Sequence, residues 1–196
     1  MSDGPKIVSS DSEELILVDE QDKEIGHLSK GDAHDGSGVL HRAFSIFLFD
    51  ADGRLLMQQR ASGKRLWPGY WSNTCCSHPR RGESLAVATA RRLRDELDIE
   101  AGLEFAYKFC YQADYGTAGA ENELCHVYLG AAPRSIRPNA HEIAAVRFMA
   151  VGELEQALDT RALDFTPWFR MEWRTLREQH AAQLQGYIGT LQSQPT

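Results

Sequence analysis

Short apolar runs separated by polar turns dominate the first half of the chain. Four of these runs have the length and composition of β-strands, at residues 14–19, 24–28, 39–49 and 54–60. The residues Asp50-Ala51-Asp52-Gly53 predict a hairpin turn between the last two. Residues 30–38 are polar and rich in glycine, which predicts a loop. This half of the chain therefore predicts a β-sheet.

The second half mixes helical and strand patterns. Ala86, Ala90, Leu93 and Leu97 recur at helical spacing and predict a helix over residues 83–97. Further strands are predicted at residues 103–111, 123–129 and 144–149, and a short helix at 152–158. Thr166-Pro167 is a typical helix start and predicts a C-terminal helix from residue 168 to about 184. The pattern as a whole indicates an α+β fold, a mostly β core with helices packed on it.

The chain length and composition indicate a single domain. A chain of 196 residues with 42% hydrophobic and 25% charged residues is typical of one globular domain. No repeat or linker interrupts it. We expect a flexible N-terminal tail over residues 1–14, one catalytic domain over 15–186 and a frayed C-terminal tail over 187–196.

Charge and cysteine content exclude several functional classes. A net charge of −7 argues against binding to nucleic acid, which normally requires a basic surface. No window is apolar enough for a membrane span. The four cysteines form no CxxC pair, which suits neither a zinc ribbon nor a disulfide framework. We therefore expect a reduced, cytoplasmic enzyme, either a monomer or a weak homo-oligomer.

The long loop over residues 61–81 is where the chemistry is expected. It contains two tryptophans, the adjacent Cys75 and Cys76, and His78, and a loop of this length is acceptable when it builds a site. Cys76 is either a small buried apolar residue or a thiol whose pKa neighbouring cations and a metal lower. Spacing alone does not choose between Cys75 and Cys76.

One set of residues has the composition of a metal site: His34, His41, His78, Glu121 and Glu123. Glu121 and Glu123 are two apart in a strand, so their side chains share a face, where they repel each other unless a cation or a proton intervenes. Each residue alone is more often a solvated or packing residue than a metal ligand. Together, imidazoles and carboxylates suit Mn, Zn or Fe.

A second set consists of cations near the same loop: Lys30, Arg60, Lys64, Arg65, Arg80, Arg81 and Arg92. In an acidic protein such a group predicts a phosphate or diphosphate site, and solubility is the alternative explanation. For Arg92 and Glu96, four residues apart, an ordinary helix-surface ion pair is the simpler interpretation. The aromatic residues Trp67, Trp71, Tyr111 and Trp168 are either core residues or groups that stabilise a cation.

Three separated motifs resemble those of type 1 isopentenyl diphosphate isomerases. They are Leu66-Trp67-Pro68-Gly69 with Tyr70 to Pro79, then Glu121-Asn122-Glu123-Leu124-Cys125, and Thr166-Pro167-Trp168. The resemblance covers about residues 15–174, in the order of the family. It implies the Nudix fold, a mixed β-sheet core flanked by helices, with a C-terminal helix.

The segment from Ser77 to Ile99 resembles a degenerate Nudix box. The positions that fit are Glu83, Arg91, Leu93, Asp95 and Glu96. The box calls for glycine where Ser77 and Asp98 stand, and for a carboxylate where Arg92 stands. Arginine at that position removes a metal ligand of a Nudix hydrolase, which favours the isomerase.

The resemblance implies a role for each matching residue. The metal group of three histidines, Glu121 and Glu123 is implied to hold Mn²⁺ or Zn²⁺. Glu96 and the main-chain carbonyl of Cys76 are implied to bind Mg²⁺ together with the substrate diphosphate. The residues implied to contact the diphosphate are Lys30, Arg60, Lys64 and Arg92. The implied catalytic residues are Cys76 as the thiol, Glu123 with Tyr111 as the acid, and Trp168 over the carbon skeleton.

The implied reaction converts isopentenyl diphosphate to dimethylallyl diphosphate, in isoprenoid biosynthesis. A proton is added to the alkene, a tertiary carbocation forms, and a proton is removed from C2. The partner is therefore a small prenyl diphosphate, with no nucleic acid or membrane involved. Two alternatives are a Nudix diphosphohydrolase acting on a nucleoside or prenyl diphosphate, and a metal-stabilised binding module in which Cys76 and Glu123 are structural.

Overall fold

The computed structural model describes residues 7–189, and within them nine strands form one mixed sheet. The strands are β1 (Glu14–Val18), β2 (Glu24–Ser29), β3 (His41–Phe49), β4 (Leu55–Arg60), β5 (Trp71–Ser72), β6 (Cys75–Ser77), β7 (Leu103–Asp114), β8 (Ala120–Ala131) and β9 (Ile143–Met149). The helices are α1 (Lys30–Ala33), α2 (Leu85–Leu97), α3 (Val151–Thr160), α4 (Pro167–Gln179) and α5 (Ala181–Ile188). The predicted α+β fold with a mixed sheet and flanking helices is confirmed.

Strand β3 is the centre of the sheet because its neighbours lie on both sides. It pairs in parallel with β8 and antiparallel with β6. Its side chains alternate: Phe44 and Ile46 join a cluster with α2, whereas Phe47 joins a cluster with α4. A strand that is buried on both faces typically has a nearly continuous run of apolar residues, and β3 has such a run. The parallel register also places His41 opposite Glu123.

Helices α2 and α4 therefore cover opposite faces of the sheet, each through its own apolar cluster. In α2, Leu93 and Leu97 are buried as the sequence predicted, but Ala86 is exposed. The remaining buried positions of that helix include the charged residues Arg92 and Glu96. The apolar periodicity predicted the helix correctly, but it did not predict all of the residues that the helix buries.

Three segments differ from the sequence prediction. The expected loop over residues 30–38 begins with the helical turn α1, which ends at His34. The expected loop over residues 61–81 contains the short strands β5 and β6, because residues of the loop pair with β4 and β3. The single C-terminal helix is two helices, α4 and α5, with the break at His180.

Two residues of the expected N-terminal tail contact the rest of the domain. Residues 1–6 lie outside the described residues. Val8 is buried, and its carbonyl accepts a hydrogen bond of 2.9 Å from Arg92 Nη1. Glu13 forms an ion pair with Arg80, and Glu14 begins β1. This segment therefore packs on the domain. In the C-terminal tail, residues 187 and 188 belong to α5, and residues 190–196 lie outside the described residues.

Among residues 7–189, no helix has both the length and the apolar character needed to cross a bilayer.

Candidate active site

The five residues of the proposed metal group converge although four separate elements carry them. His34 ends α1, His41 begins β3, His78 follows β6, and Glu121 and Glu123 lie within β8. One potential ligand atom from each lies within 4.8 Å of every other, and all five residues are buried. Pairing of β3 with β8 and β6 brings these elements together, so the backbone of the sheet determines the geometry of the group.

Two of the imidazoles are oriented by main-chain carbonyls. His34 Nδ1 lies 2.7 Å from the carbonyl oxygen of Lys30, and His41 Nδ1 lies 2.7 Å from that of Val39. A carbonyl can only accept, so each Nδ1 carries the hydrogen. The Nε2 atoms therefore keep their lone pairs and face the group, which is the arrangement that metal-ligating histidines use.

Several atoms inside the group lack ordinary hydrogen-bond partners. His41 Nε2 is buried and makes no hydrogen bond among the described residues, and the buried Glu121 Oε2 lies 2.8 Å from His34 Nε2, with which it forms an ion pair only if that imidazole is protonated. Buried polar atoms without partners are costly, and a cation between them would satisfy both. Three imidazoles with two carboxylates suit a divalent transition metal. The residues present therefore fit a metal ion.

The two carboxylates of the group have different environments. Burial, and then the negative charge of Glu121, raise the pKa of Glu123 well above its ordinary value. Burial also raises the pKa of Glu121, but His34 outweighs this effect and the net shift is downward. Two carboxylates this close do not both ionise readily, so without a cation Glu123 is the one that keeps a proton. Tyr111 donates a 2.6 Å hydrogen bond to Glu123 Oε2.

The structure separates the two adjacent cysteines. Cys75 is fully buried in the cluster under α2, whereas Cys76 lines a cavity of about 400 Å³. Tyr111, Glu123 and Trp168 line the same cavity. Burial raises the pKa of Cys76 to about 12, although Arg60 opposes the shift. Of the two adjacent thiols, Cys76 is therefore the one that faces a ligand-sized space.

Trp168 is held in place by hydrogen bonds from the loop. Its indole Nε1 donates to Ser72 Oγ at 3.0 Å, and Ser72 Oγ lies 3.0 Å from the hydroxyl of Thr166. Thr166 precedes α4 as predicted, but its side chain makes no capping hydrogen bond because it contacts Ser72 instead. The guanidinium carbon of Arg60 lies 5.2 Å from the centroid of the Trp168 ring.

Cations form the other wall of the cavity. Its lining includes the four predicted diphosphate ligands: Lys30, Arg60, Lys64 and Arg92. Arg60 Nη2 donates to the carbonyl of Leu66 at 2.9 Å, so backbone contacts fix this side chain. Burial, and then the charges of Lys64 and Arg92, lower the pKa of Lys30 to about 8. The mutual repulsion of these groups favours an anion in the cavity.

Arg92 and Glu96 form an ion pair, but not on the helix surface. Both side chains are buried, 2% and 3% exposed, so the surface interpretation is wrong. Glu96 lies outside the five-residue metal group. On the same helix Arg91 pairs with Glu83, and its Nη1 lies 4.0 Å from Asp95. Arginines therefore engage all three carboxylates of the degenerate box.

Sequence reasoning missed two buried carboxylates. Glu142, just before β9, contacts Lys64 and Arg92 on the cationic wall. Glu172 on α4 is fully buried, and Cys125 Sγ lies 3.5 Å from its Oε1. Each is a single acidic residue in an unremarkable stretch, so no spacing signal marks it. For Glu172, its position among apolar residues of the predicted C-terminal helix was the one sequence feature that could have indicated burial.

Comparisons with known proteins identify the family of the chain. The NUDIX domain family matches residues 39–169. The chain is 40% identical over 170 residues to isopentenyl-diphosphate Delta-isomerase 1 of Photorhabdus laumondii, covering 86% of this chain and 97% of that protein. It is 42% identical to isopentenyl-diphosphate Delta-isomerase of Nocardia farcinica, covering 78% of this chain and 87% of that protein.

Solved structures support the fold at lower identity. A crystal structure of a Deinococcus radiodurans protein superposes with a TM-score of 0.68 at 20% identity, covering 83% of this chain and 98% of that one. A Nudix hydrolase from M. smegmatis gives a TM-score of 0.54 at 21% identity, covering 76% and 94%. Such identities show the fold alone, and the sequence relatives carry the closer assignment. The chain belongs to the isopentenyl-diphosphate Delta-isomerase family of NUDIX domain proteins.

Proposed function

We propose that this protein is an enzyme that isomerises isopentenyl diphosphate to dimethylallyl diphosphate. One observation carries the proposal beyond family membership: a thiol, a tyrosine-supported carboxyl and a cationic wall line a single cavity. The acid and base required for moving a double bond and the cations required for a diphosphate are thus available to one small molecule.

Moving the double bond requires a proton to be added at C4 and another to be removed from C2. An unactivated alkene is a weak base, so the donor must be acidic and well placed. Glu123, which receives the 2.6 Å hydrogen bond from Tyr111, is the group proposed to protonate the alkene. Cys76 is proposed to accept the proton from C2 as the thiolate, a form that the neighbouring charge of Arg60 favours against the effect of burial. The two residues exchange these roles when the reaction runs backwards.

The tertiary carbocation formed between the two steps must be protected from water. Trp168 is 3% exposed, lines the cavity and is held by Ser72. Its π face can stabilise a cation, and because the ring is itself buried it shields that side of the cation from water. We therefore assign Trp168 to the carbon skeleton of the substrate.

A divalent ion is proposed to bind His34, His41, His78, Glu121 and Glu123, with Mn²⁺ or Zn²⁺ as the candidates. When bound, it would supply positive charge that holds the group together and polarises the Glu123 carboxyl. A separate Mg²⁺ is proposed to bind Glu96 and the carbonyl of Cys76 with the diphosphate, since Mg²⁺ commonly uses one carboxylate and substrate phosphates. Lys30, Arg60, Lys64 and Arg92 are proposed to bind the diphosphate itself.

The diphosphohydrolase alternative has less support. A Nudix hydrolase uses a metal-binding carboxylate at the position on α2 where this chain has Arg92, and Arg92 is buried there. Within residues 7–189, the five-residue group that could hold a metal lies on other elements. The fold alone does not separate the two activities, so an assay of product must do so.

Incubation with isopentenyl diphosphate, Mg²⁺ and Mn²⁺ in D₂O, followed by NMR, tests the proposal. We expect deuterated dimethylallyl diphosphate, and a loss in rate of at least about 100-fold in both Cys76→Ala and Glu123→Gln. Cys110→Ala is the matched control, because Cys110 is exposed and is not part of the cavity lining. Release of phosphate without the allylic product would support the hydrolase, and no turnover by a metal-loaded protein would support the binding module.

Other predictions from the sequence stay proposals. We propose that residues 15–186 form the catalytic domain, with the segment from Val8 packed on it. The cytoplasmic location and the monomeric or weakly oligomeric state remain predictions from composition.

A further inference from the structure

The cationic wall contains a carboxylate to which the proposed reaction gives no role. Glu142 is 3% exposed and lines the cavity with Lys64 and Arg92. It forms an ion pair with Lys64, and its Oε2 lies 3.5 Å from Arg92 Nη2. Its own backbone is fixed, because its carbonyl accepts a hydrogen bond of 3.0 Å from Ala61 N. Thus an anion is built into the wall that is proposed to bind an anion.

Charge balance explains why a carboxylate is present there. Lys30, Lys64 and Arg92 lie close enough for their repulsion to contribute to the lowered pKa of Lys30. Buried charges without a counter-charge are strongly destabilising. Burial raises the pKa of Glu142, but Lys64 and Arg92 outweigh this and lower it, so the carboxylate is ionised at neutral pH. Glu142 thereby neutralises part of the wall when no ligand is present.

The contact with Arg92 is incomplete. A separation of 3.5 Å is long for an arginine–carboxylate pair, in which N⁺–H···O⁻ distances of about 2.7–2.9 Å are usual. Arg92 Nε is buried and donates no hydrogen bond to any of the described residues. Arginine binds phosphate oxygens strongly through parallel donors, so a diphosphate can replace this long contact with Glu142.

We propose that Glu142 is a resident counter-anion that competes with the diphosphate for Lys64 and Arg92. In the free protein its carboxylate holds both cations, and diphosphate, with more oxygens and more negative charge, displaces it. The residue therefore weakens diphosphate binding in exchange for stability of the empty cavity, and it favours release of a diphosphate product. This inference rests on the proposed function for the identity of the ligand, but not for the presence of the anion site.

A role for Glu142 in orienting the cations predicts the opposite change in diphosphate affinity. If Glu142 instead orients Lys64 and Arg92 for the diphosphate, its removal would weaken binding. Glu142→Gln separates the two roles because it removes the charge and keeps the shape. Glu155→Gln is the matched control: Glu155 also pairs with an arginine, Arg177, but outside the cavity.

Inorganic pyrophosphate in the presence of Mg²⁺ is the probe, and calorimetric titration and thermal unfolding are the measurements. We expect Glu142→Gln to bind pyrophosphate about tenfold more tightly, the order expected when one like charge near the ligand is removed from a partly solvated pocket. Without ligand, the melting temperature of the variant should be lower than that of the wild type. Saturating pyrophosphate should reduce this difference in melting temperature. For Glu155→Gln, neither the affinity for pyrophosphate nor the difference in melting temperature from the wild type should depend on the substitution in this way: the affinity should be unchanged, and pyrophosphate should not reduce the difference.

Equal or weaker binding by a folded Glu142→Gln would overturn the proposal. If this variant does not fold, Lys64→Gln is compared with the double variant Lys64→Gln with Glu142→Gln, in which the buried pair is removed together. Tighter binding by the double variant supports competition, and unchanged or weaker binding overturns it. Because pyrophosphate binding does not require isomerisation, a failure here is distinguishable from an absence of isomerase activity in the NMR assay.

Discussion

Replacing Glu172 by glutamine should make the protein less sensitive to alkaline pH. Glu172 is fully buried on α4, near Cys125, and its Oε2 has no hydrogen-bond partner among the described residues. Burial raises its pKa from 4.5 to about 8, against the opposing effect of hydrogen bonds with Ser45 and Cys125. The folded protein therefore keeps a proton on Glu172 at neutral pH that the unfolded chain gives up.

The sign and size of the effect follow from this pKa. Because the folded state binds the extra proton, stability decreases as the pH rises from 4.5 to about 8. At about 1.4 kcal/mol per pKa unit, the full effect is about 5 kcal/mol as an upper limit, of which about 3.5 kcal/mol is lost between pH 5 and pH 8. Glutamine has no proton to lose, so the variant should not show this part of the loss.

Urea unfolding of wild type and Glu172→Gln at pH 5 and pH 8, with EDTA present, measures the difference. The free energy of unfolding of the variant relative to wild type should rise by about 2–4 kcal/mol between the two pH values. Other titrating groups are common to both proteins and cancel in the comparison. Glu100→Gln, at an exposed position, provides the baseline for the same substitution on the surface. An equal difference between wild type and Glu172→Gln at both pH values would refute the assignment of a proton to Glu172.

Three further substitutions test the site and one of its supports. Tyr111→Phe should lower kcat about 10- to 100-fold with little change in KM, since it removes the hydrogen bond to Glu123 Oε2, and steady-state kinetics will show whether KM changes instead. His78→Asn should reduce bound Mn²⁺ or Zn²⁺ at least about tenfold by mass spectrometry of metals, and His27→Asn, outside the group, should not. Asp98→Gly should increase the free energy of unfolding in urea by about 0.5–1 kcal/mol. Asp98 ends α2 with φ of 55°, a left-handed conformation that glycine adopts freely. A decrease in stability would mean that the Asp98 carboxylate stabilises the protein by more than its backbone conformation costs.

At Asp98 the family pattern predicts the backbone conformation correctly although the residue itself differs from the pattern. The family pattern has glycine at this position, and the structure has the backbone that glycine would favour. The strands β3 and β4 were predicted within two residues of their observed bounds, because long apolar runs flanking an Asp-Gly turn leave few alternatives. Short elements such as β5 and β6 were not predicted, because only pairing with distant strands defines them.

The residues that sequence motifs brought together share a feature that the missed ones lack. His78 and Glu123 belong to two of the three motifs quoted above, and the structure places them in one group with His34. Glu142 and Glu172 are ordinary glutamates in ordinary contexts. Their burial follows from tertiary packing, and a sequence without an alignment contains no record of it. Burial of Arg92 was hidden for the same reason, since a charged helical residue is normally solvated.

The cavity has two halves that the fold supports in different ways. Strand pairing positions Cys76 and most of the metal group, because these residues lie on β3, β6 and β8 or directly beside them. His34, at the end of α1, is tied to β8 by a 3.0 Å hydrogen bond from Ala120 N to its carbonyl. The cations are held mainly by side-chain contacts: Lys30 by Ser9, Lys64 by Glu142, and Arg92 by Glu96. Strand pairing is stiff, whereas such contacts can be exchanged for contacts to a ligand. The chemistry thus occupies the half that keeps its geometry, and the diphosphate end occupies the half that can readjust when an anion enters and leaves.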